Sequence, residues 1–311
     1  MVLCIICIIM GSRISFLESR IAGREAFEQL GNRDSRLVRI SEYDYIPEDT
    51  SVAHADEAYA SAGVIEDNVS DGSESGTAAK SFGYDSEDGS GVVYASDSEW
   101  DGIHRVYLTF DDGPSIYTDD ILDVLKDYGV KATFFVVGKE NTAAYSRYLR
   151  ILGEGHTLGM HSYSHDYSEL YASPEAFAED TDRIRTLLED VTGETPVFYR
   201  FPGGSSNSVS DTDIRTLAEY LDSQGIVYFD WNASSGDASG ASLSVDDIVA
   251  NCLDGIESRE TSVILLHDAS NKWSTVQALP HIIEGIQAMD DTEILPITED
   301  TTVIQHVVLN K

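Results

Sequence analysis

At 311 residues the chain exceeds one average domain, and a single α/β barrel with an N-terminal extension accounts for that length. Its 42% hydrophobic content is enough for a sizeable core, while 55 acidic residues against 20 basic ones leave a formal charge of -35. That charge repels phosphate backbones and anionic lipid heads and argues against nucleic acid as a partner. Three cysteines cannot build a disulfide framework, and Cys252, alone in a helical pattern, reads as a small core residue.

Residues 2–10 form an apolar run shorter than the roughly 20 residues that span a bilayer. Residues 1–11 are therefore expected to be a signal core or part of a membrane anchor. Arg13, Arg20 and Arg24 follow the run rather than precede it, which by the positive-inside tendency opposes export. Ile14, Leu17, Ile21, Phe27 and Leu30 predict a short amphipathic helix, a membrane-proximal stalk within residues 12–40. From Glu42 to Asp101 the chain carries 16 Asp or Glu and one Lys, with Gly/Ser clusters at 71–76 and 86–91. Such a composition buries too little apolar surface to offset its ordering entropy. Residues 41–102 are expected to form a disordered acidic tether with a reach of about 40 Å or more.

From residue 103 onward the pattern is regular. β-rich runs at 106–110, 132–137, 156–160, 197–200, 226–230 and 262–266 alternate with helical periodicity at 118–128, 141–154, 174–191, 211–223, 245–257 and 275–289. This alternation implies a mostly parallel sheet, and its extent implies an irregular or incomplete (β/α) barrel over residues 103–311.

In such barrels chemistry gathers at the C-terminal ends of the strands. Five predicted strands end on polar sequences: Asp111-Asp112-Gly113-Pro114, His161-Ser-Tyr-Ser-His165, Arg200-Phe-Pro-Gly203-Gly204, Asp230-Trp231 and His267-Asp268. Singly, each has an ordinary structural explanation. An Asp-Asp-Gly-Pro stretch makes a good turn, two histidines four apart on a helix face are more often not ligands, and a strand-terminal histidine is usually a satisfied core residue. Together, five coincidences at corresponding strand ends point to one site. Two imidazoles and a carboxylate suit Zn²⁺ or another borderline divalent ion with a position left for water, and a second, adjacent carboxylate can stay unligated as a base.

The segments Thr109-Phe-Asp-Asp-Gly-Pro114, 161–165, 200–204, Asp230-Trp231 and Leu265-Leu-His267 resemble, in order, the motifs of the polysaccharide deacetylase family, the NodB-homology fold of carbohydrate esterase family four. The resemblance covers about residues 104–300. It implies that Asp112, His161 and His165 hold a divalent metal, zinc first and cobalt, nickel or manganese as alternatives. It implies Asp111 as the general base that activates the attacking water, Arg200 as its partner, and the Gly203 N–H as an oxyanion donor. His267 would be the general acid, held protonated by Asp230, with Trp231 and Leu265 lining the acetyl pocket. One departure is Gly203, where many relatives carry an aromatic side chain, so one wall of the sugar groove would be smaller.

The function so implied is removal of N-acetyl groups from an acetylated aminosugar polymer, peptidoglycan first and chitin-type chains second, outside the cell or at its surface. Membrane contact is expected only through the N-terminal segment. The alternatives are an O-acetyl esterase acting on a polysaccharide such as xylan, which the same site could serve, and a non-catalytic wall-binding module. Mere binding gives Asp111 and His267 no duty. A metalloprotease is disfavoured because no His-Glu-x-x-His occurs.

Overall fold

The computed structural model describes residues 100–239, 243–254, 256 and 259–309. The expected anchor and stalk lie outside these residues, as does the acidic tether except for residues 100–102, where Asp101 pairs with Arg105.

The elements in chain order are β1 (His104–Asp111), α1 (Thr118–Asp127), β2 (Thr133–Val137), α2 (Thr142–Gly153), β3 (Thr157–Ser162), α3 (Tyr167–Leu170), α4 (Pro174–Thr192), β4 (Phe198–Tyr199), α5 (Ile214–Ser223), β5 (Val227–Tyr228), β6 (Ala233–Ser234), α6 (Val245–Leu253), β7 (Thr261–His267), α7 (Trp273–Gln287) and β8 (Thr292–Ile294). Each helix and strand predicted from residue 103 onward has its counterpart. Strands β6 and β8 and helix α3 have no sequence signal, since two to four residues are too short to show a period.

The strands run in the order β5-β4-β3-β2-β1-β7-β6, and β8 pairs with the start of β1. Every pairing is parallel, and the result is a curled half-barrel with helices packed against it, the incomplete (β/α) barrel that the sequence leads one to expect. Side-chain alternation along β1 explains how one strand serves two layers. Val106, Leu108 and Phe110 enter the large core shared with the helices, whereas Tyr107 enters a smaller cluster on the opposite face with Phe135, Phe198, Phe229 and Val263. Thr109 and Asp111 continue that inner row upward, so the strand that builds the hydrophobic floor also delivers a carboxylate to the rim.

An open half-barrel leaves its concave face needing cover. The C-terminal tail supplies it. The Leu295 N–H bonds to the Val106 carbonyl, the Ile297 N–H to Thr133 Oγ1, and the Asp230 N–H to the Ile304 carbonyl. Ile297 and Ile304 are fully buried in the inner cluster.

Candidate active site

The rim is built on Arg200, which is fully buried just past β4. A guanidinium there needs acceptors for its donors, and each of its three nitrogens has at least one. Nε donates to the Phe229 carbonyl (3.0 Å), Nη2 to the Asp230 carbonyl (2.9 Å), and Nη1 to Thr109 Oγ1 (2.6 Å) and Asp111 Oδ1 (2.9 Å). Its plane lies over the Phe135 ring at 4.3 Å. The expected Asp111–Arg200 pair is therefore formed, and it occupies only one carboxylate oxygen. The other, Oδ2, lies 3.9 Å from His161 Nε2.

Asp112, His161 and His165 converge beside it, with one potential ligand atom from each lying within 4.8 Å of the others. Asp112 Oδ1 stands 3.1 Å from His165 Nε2 and 3.5 Å from His161 Nε2. Tetrahedral ligands on bonds of 2.0–2.1 Å are separated by about 3.3 Å, so this spacing suits a four-coordinate ion. The histidines do not share a helix face. His161 lies in β3, and His165 sits in the following turn at φ 53. His161 Nδ1 is 2.8 Å from the Arg200 carbonyl, which fixes Nδ1–H as donor and leaves the Nε2 lone pair free toward the cluster. Burial lowers the His161 pKa despite the charges of Asp111 and Asp112, which keeps that lone pair available. Asp112 is half-buried, and although desolvation raises its pKa, the imidazoles of His165, His267 and His161 outweigh that and hold its carboxyl well below the usual range. Asp112 and His165 both adopt positive φ, 73 and 53, and so carry backbone strain where the donors meet.

Two carboxylates with no place in the family motifs hold these loops. Asp180, buried on α4, accepts from Ser162 Oγ (2.8 Å), Tyr163 N (2.7 Å) and Ser164 N (2.8 Å), and so shapes the turn that presents His165. Asp268, next to His267, accepts from Ser115 Oγ (2.5 Å) and Thr118 Oγ1 (2.6 Å) and anchors the loop after Asp112.

His267 ends β7 in register with Asp111 on β1. The expectation that Asp230 pairs with it is corrected. Its Nδ1 lies 2.7 Å from Asp237 Oδ1, and its own N–H donates to Asp237 Oδ2 at 2.9 Å. Thr275 Oγ1 also donates to Asp237 Oδ2 at 2.8 Å. Burial opposes protonation of His267, but the adjoining Asp237 carboxylate, helped by Asp112 and Asp111, raises its pKa to about 9. Burial likewise opposes ionisation of Asp237, and the imidazole overcomes it and lowers that pKa. With Nδ1 engaged, Nε2 is the proton-bearing atom left to act.

Asp230 does something else. Its carboxylate accepts from Ser205 N (2.8 Å), Ser205 Oγ (2.5 Å) and His306 N (2.8 Å), which ties the 203–205 turn to the C-terminal tail. The imidazole that stands near it is that of His306, with Nδ1 3.9 Å from Oδ1. In that turn Gly203 has φ 77, and a Cβ there would stand 3.2 Å from Asn207 Cβ and 3.4 Å from the Tyr167 hydroxyl, which accounts for the missing side chain. A Cβ on Gly204 would meet the Trp231 ring at 2.9 Å. Trp231 therefore packs across this turn, with Arg200 at 5.7 Å, and Leu265 is buried two positions before His267.

A parallel half-barrel whose rim joins an arginine-held carboxylate, a metal-capable donor set and an imidazole with a raised pKa has the equipment of a hydrolase. The polysaccharide deacetylase family model matches residues 101–223. YheN of Bacillus subtilis (strain 168), a putative polysaccharide deacetylase, is 35% identical over 208 residues, 66% of this chain and 71% of that protein. A peptidoglycan-N-acetylglucosamine deacetylase of Bacillus cereus is 31% identical over 195 residues, 61% of this chain and 69% of that one. Among solved structures, the catalytic domain of peptidoglycan N-acetylglucosamine deacetylase from Eubacterium rectale ATCC 33656 aligns with a TM-score of 0.64 at 38% identity, covering 70% of this chain and 98% of that chain. The chain belongs to the polysaccharide deacetylase family.

Proposed function

We propose that this protein is a metal-dependent N-deacetylase acting on N-acetylglucosamine in a cell-wall polymer, peptidoglycan first, at or outside the cell surface. The observation that carries the reading is the meeting of Asp112, His161 and His165 between the Asp111–Arg200 pair and the Asp237–His267 pair. The choice of substrate draws on the relatives from Bacillus cereus and Eubacterium rectale, which are named for that sugar.

Asp112, His161 and His165 would hold the ion. A bound divalent ion supplies Lewis-acid polarisation of a carbonyl and brings the pKa of water down toward about 7. Asp111 then takes the proton of the attacking water on Oδ2, while Arg200 holds Oδ1 and fixes the orientation of the carboxylate. The Gly203 N–H has no acceptor among the described residues and serves as a donor to the oxyanion that forms as the carbonyl is attacked. His267 delivers its Nε2 proton to the departing nitrogen, and the amine leaves as acetate is released. Asp237 keeps that imidazole protonated and oriented. Trp231 and Leu265 bound the space for the acetyl methyl.

The test is acetate release by the purified protein from peptidoglycan, from N-acetylglucosamine oligomers of increasing length and from acetylated xylan. Release from peptidoglycan and long oligomers should exceed release from the monosaccharide, because each added sugar contributes binding energy that positions the reacting group. Acetylated xylan as much the best substrate would replace this reading with the O-esterase one.

A further inference from the structure

We propose that Tyr117, Trp273 and Ile116 form a binding subsite for a sugar ring of the polymer, beyond the residue that is deacetylated. The proposal rests on the polymer reading above and adds where the rest of the chain is held. Trp273 opens α7 with 45% of its surface exposed, its ring 5.1 Å from that of Tyr117 and inclined at 43°. Ile116, beside Tyr117, is 55% exposed. These side chains come from the loops that follow β1 and β7, the two strands that deliver Asp111 and His267 side by side.

The platform is fixed to the proton-donating arm at four points. Ser115 and Thr118, on either side of Tyr117, both donate to Asp268, the residue after His267. Lys272 and Thr275, on either side of Trp273, bond to the Asp237 carbonyl and carboxylate respectively. An exposed indole leaning on the half-buried ring of Tyr117, in segments held by buried hydrogen bonds, presents apolar area with little freedom to hide it, a pattern associated with recognition. The apolar C–H face of a pyranose ring fits such a surface, and the uncharged ring tolerates the neighbouring Asp119 and Asp120 at the start of α1. A charge of -35 disfavours an anionic occupant. Three side chains fall far short of the roughly 20–30 residues a side of a stable protein interface.

The test compares wild-type and Trp273→Ala full-length protein on N-acetylglucosamine dimer and hexamer, with zinc supplied, alongside calorimetric binding of both oligomers to the metal-free proteins. In the wild type, hexamer should bind more tightly than dimer. In the variant, the hexamer-to-dimer ratios of kcat/KM and of affinity should both fall about tenfold, and Trp273→Tyr should restore most of each. Unchanged ratios in Trp273→Ala would overturn the subsite. Absence of acetate from every oligomer with wild-type protein would instead overturn the functional reading, and the binding ratios would still decide the subsite.

Discussion

Two aspartate–histidine groups face each other across the rim, and they are built to opposite ends. In the first, Asp112 Oδ1 stands 3.1 and 3.5 Å from two Nε2 atoms, the backbone at Asp112 and His165 is in the left-handed region, and the His161 proton is directed away to the Arg200 carbonyl. In the second, Asp237 meets Nδ1 of one imidazole at 2.7 Å, and its other oxygen is filled by a backbone N–H and a hydroxyl. Potential donor atoms converge in the first group, where Asp112 overcomes burial to raise the His165 pKa, so that a cation would have to displace a proton, whereas in the second a proton is trapped. The same two residue types thus give an arrangement suited to a metal or one suited to holding a proton, depending on which ring nitrogen is engaged and on what else the carboxylate accepts.

The largest expected difference comes from removing a member of the converging group. Asp112→Ala or His161→Ala should abolish both bound metal and acetate release, and elemental analysis of the purified variants checks it. Full metal occupancy in either would take that residue out of the ligand set. His267→Ala should retain its metal and lose about 10² to 10⁴ in turnover. Loss of metal there would dissolve the distinction between the two groups.

Asp237→Asn probes the trapped proton more finely. In metal-free protein, NMR titration of His267 should give a pKa near the value of about 9, falling well below it in the variant. A bound cation would lower it in both, so the alkaline limb of the activity profile should lie at or below pH 9. Because the folded value is raised above the ordinary 6.5, the stability contributed by the pair is fully present below about pH 6.5 and is lost as pH rises through about 9. The thermal midpoints of wild type and Asp237→Asn should therefore converge above pH 9. A gap that persists there would assign Asp237 a packing role instead. The smallest effect is expected at Asp180, which touches no donor atom. Asp180→Asn should weaken metal affinity by roughly 10- to 100-fold, with turnover at saturating metal little changed.

How much of the site is legible in the sequence follows from periodicity. The alternation of β1 and β7 announces which residues reach the inner face, so Asp111 and His267 can be placed at strand ends from the amino-acid pattern alone. Asp237 escapes that reading for the same physical reason in reverse. Strands β5 and β6 are two residues each, so nothing marks a second strand end after Asp230, and the sequence points to the wrong carboxylate as the partner of His267. Asp180 does leave a signal. It shares the buried face of α4 with Phe177, Thr181, Ile184 and Leu188, and an acid on an apolar stripe asks for buried donors. The tail over 295–307 leaves none, since it covers the sheet through single backbone bonds and isolated isoleucines with no repeat.

The central claim is that Asp112, His161 and His165 serve a metal on which hydrolysis depends. It is tested most directly by stripping the protein with a chelator and measuring acetate release from N-acetylglucosamine oligomers before and after adding one equivalent of zinc. The account predicts release that disappears on stripping and returns with the ion in wild type but not in His161→Ala. Undiminished release from the stripped protein would contradict it.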